Sequence, residues 1–124
     1  MRIDIDDPDV DMDASSCLFY RGQPFTGEVA EYQAGQLISL DEYTDGRLNG
    51  LSREWYQDGT LRSEGVARDG RAVGEWKDWH LNGALKSRQL FDDTGYSVIE
   101  ADTWDECAVP LSSWRRTDAE RSAP

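Results

Sequence analysis

A glycine-punctuated repeat constrains this chain more than any other feature. Three stretches align on it: Gly27-Glu-Val-Ala-Glu-Tyr32-Gln-Ala-Gly35-Gln-Leu37-Ile-Ser39, Gly50-Leu-Ser-Arg-Glu-Trp55-Tyr-Gln-Asp-Gly59-Thr-Leu61-Arg-Ser63 and Gly74-Glu-Trp-Lys-Asp-Trp79-His-Leu-Asn-Gly83-Ala-Leu85-Lys-Ser87. Each carries an aromatic residue, a turn glycine and then x-Leu-x-Ser, and the leading glycines recur every 23 to 24 residues. A second glycine follows the turn glycine by 11 residues at Asp45-Gly46 and Asp69-Gly70, and by 12 at Thr94-Gly95. The segment from Phe19 to Gly27 reads as the closing half of an earlier copy. Thr103-Trp104-Asp-Glu-Cys107-Ala108 reads as a fourth aromatic strand in which Ala108 stands where the turn glycine falls.

Asp-Gly and Asn-Gly between strand-like runs supply the positive φ that tight hairpins require. The runs between them have ordinary strand lengths. Glycine interrupts nearly every window of a dozen residues across 22–95, which disfavours helix. The expected fold is therefore all-β: antiparallel β-hairpin repeats of period 23–24 forming an elongated twisted meander. Alternation places Leu51 and Trp55 on one face, with Ser52, Glu54 and Tyr56 on the other. It likewise groups Leu61, Ser63 and Ala67 against Arg62, Glu64 and Val66. Neither face is wholly apolar, so stabilisation is expected from stacked rungs, each repeat burying its aromatic strip against the next.

With 124 residues the chain suits one domain. Five Trp argue for folding, since an acidic disordered chain rarely carries so many aromatics. The formal net charge of −12 excludes a surface that clamps nucleic-acid phosphates or anionic lipid over most of its extent. The charge is uneven: residues 1–46 hold 11 acidic and 2 basic side chains, a net of −9. Residues 47–90 hold 6 and 8, a net of +2, and residues 91–124 hold 8 and 3, a net of −5. The division that follows is an acidic N-terminal arm or edge strand over 1–17, a repeat domain over 18–106 and a C-terminal cap or tail over 107–124. For the last stretch, either a short helix from Trp114 to Arg121 or a frayed tail is expected.

No apolar run reaches the roughly 20 residues needed to span a bilayer. The opening Met1-Arg2-Ile3-Asp4 has no apolar core of a secretory signal, so a cytoplasmic location is expected. Cys17 and Cys107 are the only cysteines, and a structural disulfide between them is not expected in a reducing compartment.

Sites of chemistry are sparse. Asp9-x-Asp11-x-Asp13 matches the first three ligand positions of a calcium loop, but Ala14 replaces the required glycine and Tyr20 the bidentate Glu. A solvated acidic strand or arm is the preferred reading. His80 is the only histidine and occupies the repeat position of Tyr56, which favours a structural role. No G-x-S-x-G or comparable nucleophile context accompanies it. Neither cysteine has a basic or histidine partner nearby in sequence. Glu54 and Asp78, one residue before Trp55 and Trp79, form a potential acid pair, although their recurrence favours a structural role. The glycines fit hairpin turns and no phosphate-binding loop. A base-stacking platform of Trp55, Trp76, Trp79 and Trp104 is disfavoured by the near-neutral repeats and their acidic flanks. No enzyme, cofactor or metal is expected.

The unit Glu-Trp-Tyr-x-Asp-Gly-x-Leu-x-Ser-Glu-Gly, at Glu54 to Gly65, resembles the MORN repeat variant of bacterial proteins labelled as toxin–antitoxin antitoxins of the YwqK family. Copies at Glu75–Ser87 and Glu31–Ser39 follow the same pattern, and the resemblance extends over about residues 18–106. It implies a β-hairpin repeat fold and a binding role without catalysis: an antitoxin or immunity protein that occludes a basic toxin surface. The acidic ends would supply the complementary charge through Asp4, Asp6, Asp7, Asp9, Asp11 and Asp13, and through Glu100, Asp102, Asp105 and Glu106. Exposed members of Tyr32, Trp55, Tyr56, Trp76 and Trp79 would supply the anchors. The alternative implied by the same repeats is a structural scaffold joining proteins or touching membranes, and no direct nucleic-acid binding is expected.

Overall fold

The computed structural model describes residues 1–116. Their twelve strands are β1 (Arg2–Asp4), β2 (Val10–Met12), β3 (Leu18–Tyr20), β4 (Gln23–Pro24), β5 (Gly27–Gln33), β6 (Gln36–Thr44), β7 (Arg47–Trp55), β8 (Leu61–Arg68), β9 (Arg71–Trp79), β10 (Leu85–Phe91), β11 (Val98–Trp104) and β12 (Pro110–Arg115). From β5 onward each strand pairs antiparallel with the next, giving a nine-stranded meander whose other edge is β1, parallel to β5. Strands β2, β3 and β4 form a separate three-stranded sheet.

Two kinds of turn generate the meander, and both follow from the repeat. Two-residue turns at Arg21-Gly22, Ala34-Gly35, Asp45-Gly46 and Asp69-Gly70 have φ near +50° and then near +80°. Two successive positive φ values match the type I′ turn, whose twist suits a hairpin. A longer turn occurs four times with one hydrogen-bond pattern. In it Tyr56 N donates to Thr60 O and Gly59 N to Tyr56 O; His80, Asp105 and Asp13 repeat the pattern with Ala84, Val109 and Cys17. Ala108 and Ser16 take the glycine position at φ +64°. The last hairpin is therefore a full repeat, and β2–β3 is an earlier one that begins upstream of Phe19.

Successive Asp-Gly turns also dock on the preceding repeat. Asp45 N donates to Thr26 Oγ1 at 2.9 Å and Asp69 N to Asn49 Oδ1 at 3.1 Å. Gly46 N reaches Phe25 O and Gly70 N reaches Leu48 O. Gly46 lies directly under the small sheet, where its amide environment includes Leu18 N bonded to Gly46 O at 2.8 Å. A Cβ there would overlap Cys17 Sγ and stand 2.9 Å from Leu18 O.

The small sheet creates the one cluster of buried apolar side chains among the described residues: Ile3, Leu18, Phe25 and Val29, flanked by Ile5, Val10, Tyr20 and Tyr43. Stacked rungs alone thus do not stabilise the fold; its densest core lies at the N-terminal end. Farther along, Trp55, Trp79 and Trp104 are only half-buried, because among the described residues no second layer covers the repeats. Two expectations about the chain ends and faces need correction. Trp114 and Arg115 belong to the edge strand β12 instead of beginning a helix, and 117–121 lie outside the described residues. Arg62 is an extra residue between the pairs Trp55–Leu61 and Glu54–Ser63, so Leu61 and Ser63 occupy opposite faces.

Candidate partner-binding site

The register carries residue rows straight across the strands. One row reads Glu31–Ser39–Glu54–Ser63–Asp78–Ser87–Thr103–Ser112 from β5 to β12. From Glu31 to Ser87 it alternates acid and hydroxyl because the acid before the aromatic pairs with the Ser of x-Leu-x-Ser, and it ends in the hydroxyls Thr103 and Ser112. Asp78 accepts from Ser87 Oγ at 2.8 Å, and Thr103 Oγ1 meets Ser112 Oγ at 2.5 Å. The opposite face carries Arg53–Glu64–Lys77–Arg88–Asp102, whose cations are met by acids: Arg53 pairs with Glu64, Lys77 with Glu75, and Arg88 with Glu75, Glu100 and Asp102.

Two adjoining grooves open on the acid–hydroxyl face. The first, about 300 Å³, runs from Glu31 and Ser39 past Glu54 to Trp55, Tyr56 and Arg62. The second, about 210 Å³, is lined by Tyr56, Arg62, Asp78, Trp79 and Lys86. Tyr56 forms the ridge between them: its hydroxyl donates to Trp79 O at 2.7 Å, and Arg62 lies over its ring at 5.7 Å. His80, its repeat equivalent, places Nε2 2.9 Å from Trp104 O. The same polar tie thus links successive repeats. Glu54 and Asp78 reach this face because strand alternation continues to the residue before the bulge. Glu31 is the acid that sequence reading left out, although it precedes Tyr32 just as Glu54 precedes Trp55.

The aromatic anchors separate. Trp55, Tyr56 and Trp79 line the grooves, whereas Tyr32, 41% exposed, lies outside both linings. Trp76 is engaged within the sheet: a Cβ on Gly65 would stand inside its indole, and its Nε1 donates to Val66 O at 2.9 Å.

The acidic ends are largely occupied by local structure. Asp4 and Asp7 accept from the backbone of Asp6 and Asp9, Asp9 pairs with Arg21 at 3.1 Å, and Asp11 accepts from Met12 N. Asp13 caps its turn by accepting from Ser15 N and Cys17 N, and Asp105 does the same for Cys107 N and Val109 N. Asp4, Asp7, Asp13 and Asp105 close turns, while Asp9 and Asp11 are engaged by Arg21 and the Met12 amide, so each aspartate of the calcium-like spacing has a local partner. Asp6 and Glu106 are exposed with no side-chain partner among the described residues. Glu100 and Asp102 sit on the opposite face in a network centred on Arg88 and Arg115. Among the described residues no group of three or more His, Cys, Asp or Glu is arranged to hold a metal ion. The two cysteines are free thiols. Among the described residues no helix is long and apolar enough to cross a membrane.

The ion network has a defined pH signature. Hydrogen bonds from Arg115 and then Ser113 hold the Asp102 carboxyl below its ordinary range, against partial desolvation. Arg88 and then Lys77 do the same for Glu75. Depressed folded-state values mean that this stabilisation is complete above the unfolded values near pH 4 and is lost as pH falls through the folded ones. Replacing Arg88 with Gln is expected to lower the melting temperature by roughly 3–5 °C at pH 7. The gap to the parent should close towards about pH 2, where the carboxylates are protonated in both states. A gap that persists in acid would mean that Arg88 acts through packing.

Comparison with protein-family models, with curated proteins and with solved structures returned no match.

Proposed function

We infer that this chain is a non-enzymatic protein-binding module, acting as an antitoxin or immunity protein that closes over a basic face of a toxin. The observation that carries this reading is the uncovered sheet face with two adjoining grooves, where aromatic walls and carboxylates recur with the repeat. Stable recognition surfaces combine aromatic anchors with a polar surround, and a sheet braced on its opposite face by ion pairs offers them rigidly. The acids of the N-terminal arm have a different part. Turn capping leaves their negative charge in place, so they steer a basic partner from a distance while the grooves dock it.

The reading is tested by purifying the tagged chain from its native host. A toxin recovered one-to-one, silenced in proportion to the chain added, is the expected result. Its association rate should fall about 10- to 100-fold between 50 and 500 mM salt, as expected for electrostatically steered encounter. Recovery of lipid or cytoskeletal components alone would sink the antitoxin reading. That outcome would favour the scaffold alternative, for which the supporting observation is the open edge of β12: Leu111 is 65% and Trp114 45% exposed there.

A further inference from the structure

Two carboxylates of the first groove differ from all other acids borne by strands. From Asp4 to Asp102, each of the others accepts a hydrogen bond or joins an ion pair. Among the strand-borne acids of the described residues, Glu31 and Glu54 alone do neither, and both are exposed. They occupy β5 and β7 and face one another across Ser39 of β6, in a single row. Two strand spacings put their backbones roughly 9.5 Å apart. Between them the groove is floored by Ser39 and walled by Ile38 and Tyr56, while Gln57 Nε2 donates to Gln33 O at 2.8 Å and closes one end. Arg62, the only cation in the lining among the described residues, is drawn over the Tyr56 ring, so the space between the two carboxylates is acidic.

We propose that this groove receives the guanidinium of an arginine side chain on the partner protein, a specificity that rests on the protein-binding reading above. The geometry selects the planar fork. A guanidinium presents donors along two edges about 120° apart, and a carboxylate paired bidentately to each edge puts the two carboxyl carbons roughly 7 Å apart. Glutamates anchored roughly 9.5 Å apart reach that separation by leaning inward. A lysine ammonium is a compact point charge and engages one carboxylate at a time. Unpaired carboxylates also avoid the cost of breaking an existing ion pair when the ligand arrives.

The test titrates the intact chain with the capped tripeptide Gly-Arg-Gly, alongside Gly-Lys-Gly and Gly-citrulline-Gly, following backbone amide resonances by NMR. Saturable shifts at Ser39 and Tyr56 are expected with the arginine peptide, binding about tenfold weaker with lysine, and none with citrulline. Glu31→Gln and Glu54→Gln should each weaken the arginine peptide about tenfold, while Asp93→Asn, at an exposed acid outside both grooves, leaves it unchanged. No saturable shift, equal lysine binding, or full binding by the two Gln variants would overturn the assignment. A protein partner whose affinity ignores both Gln substitutions would also overturn it, while leaving the module reading intact. Arginine-selective binding with no protein partner recovered would support the groove and remove the module reading.

Discussion

Leu18→Ala is expected to detach the N-terminal sheet from the meander and to lower stability by about 2–5 kcal/mol. Leu18 is the only large side chain among the described residues with no exposed surface, and it packs where Ile3, Phe25 and Val29 meet. Its backbone is held as well, since Leu18 N donates to Gly46 O and Phe25 N to Leu18 O. The truncation leaves a void that the surrounding backbone cannot fill, because three strands of two or three residues each have few other contacts. For a domain of this size the loss corresponds to a fall in melting temperature of roughly 10–25 °C. Hydrogen exchange should then quicken first at Ile5, whose amide bonds to Ala30 O, and at Gly46, before strands β8–β11 respond. Leu61→Ala provides the contrast: Leu61 occupies the repeat position of Leu18 but is only half-buried. Its truncation should cost about 1 kcal/mol. Equal losses at both positions would mean that the repeats carry the stability and the N-terminal cluster is incidental.

The meander from β5 to β11 is legible in the sequence because each turn is fixed by local chemistry. Asp45-Gly46 and Asp69-Gly70 tolerate the positive φ of a tight hairpin by residue type, and Ala34-Gly35 takes the same conformation on the strength of its glycine. The same regularity hid the first copy. Met12 takes the aromatic position and Ser16 the glycine position, so only the five-residue loop from Asp13 to Cys17 preserves the signature. Its most visible feature, a string of aspartates, suggests an exposed arm, whereas the carboxylates are hydrogen-bonding the loop. The parallel pairing of β1 with β5 joins residues 26 positions apart and has no local signal at all. Leu111-Ser112-Ser113-Trp114 lacks alternation of polar and apolar residues, since β12 is exposed on both faces, and its strand character comes from pairing with β11.

Legibility of the candidate site divides along the same line. Trp55, Tyr56 and Trp79 are visible as repeat positions, and the grooves lie beside them. Which acids remain available is a property of register. Glu100 and Asp102 look equivalent to Glu31 and Glu54 by composition, yet pairing brings Arg88 and Arg115 against the former and only Ser39 between the latter. Net charge per segment counts Glu31 with the acidic residues 1–46 and Glu54 with the near-neutral 47–90, whereas pairing through Ser39 puts the two in one row.

Gly65→Ala should cost about 2–4 kcal/mol through Trp76 alone, and removing Trp76 should abolish most of that cost. The backbone at Gly65 is not in the positive-φ region, so alanine brings no conformational strain. Its methyl group would occupy the space of the Trp76 indole and expel the ring from its seat across β8 and β9. Overpacking contributes about 1–3 kcal/mol, and losing the indole hydrogen bond to Val66 O adds about 1 kcal/mol. With Trp76→Ala in place the clash has no partner. The double variant should then be about as stable as Trp76→Ala, a coupling of about 2 kcal/mol or more measured by urea unfolding of the four proteins. Additive losses would mean that Gly65 serves the backbone and not the indole. The cycle also separates two roles for Trp76 that composition alone merges. If its ring is a sheet brace, a stabilised background carrying Trp76→Ala retains partner affinity; a ring that leaves Gly65 to meet a partner would lose affinity and stability together.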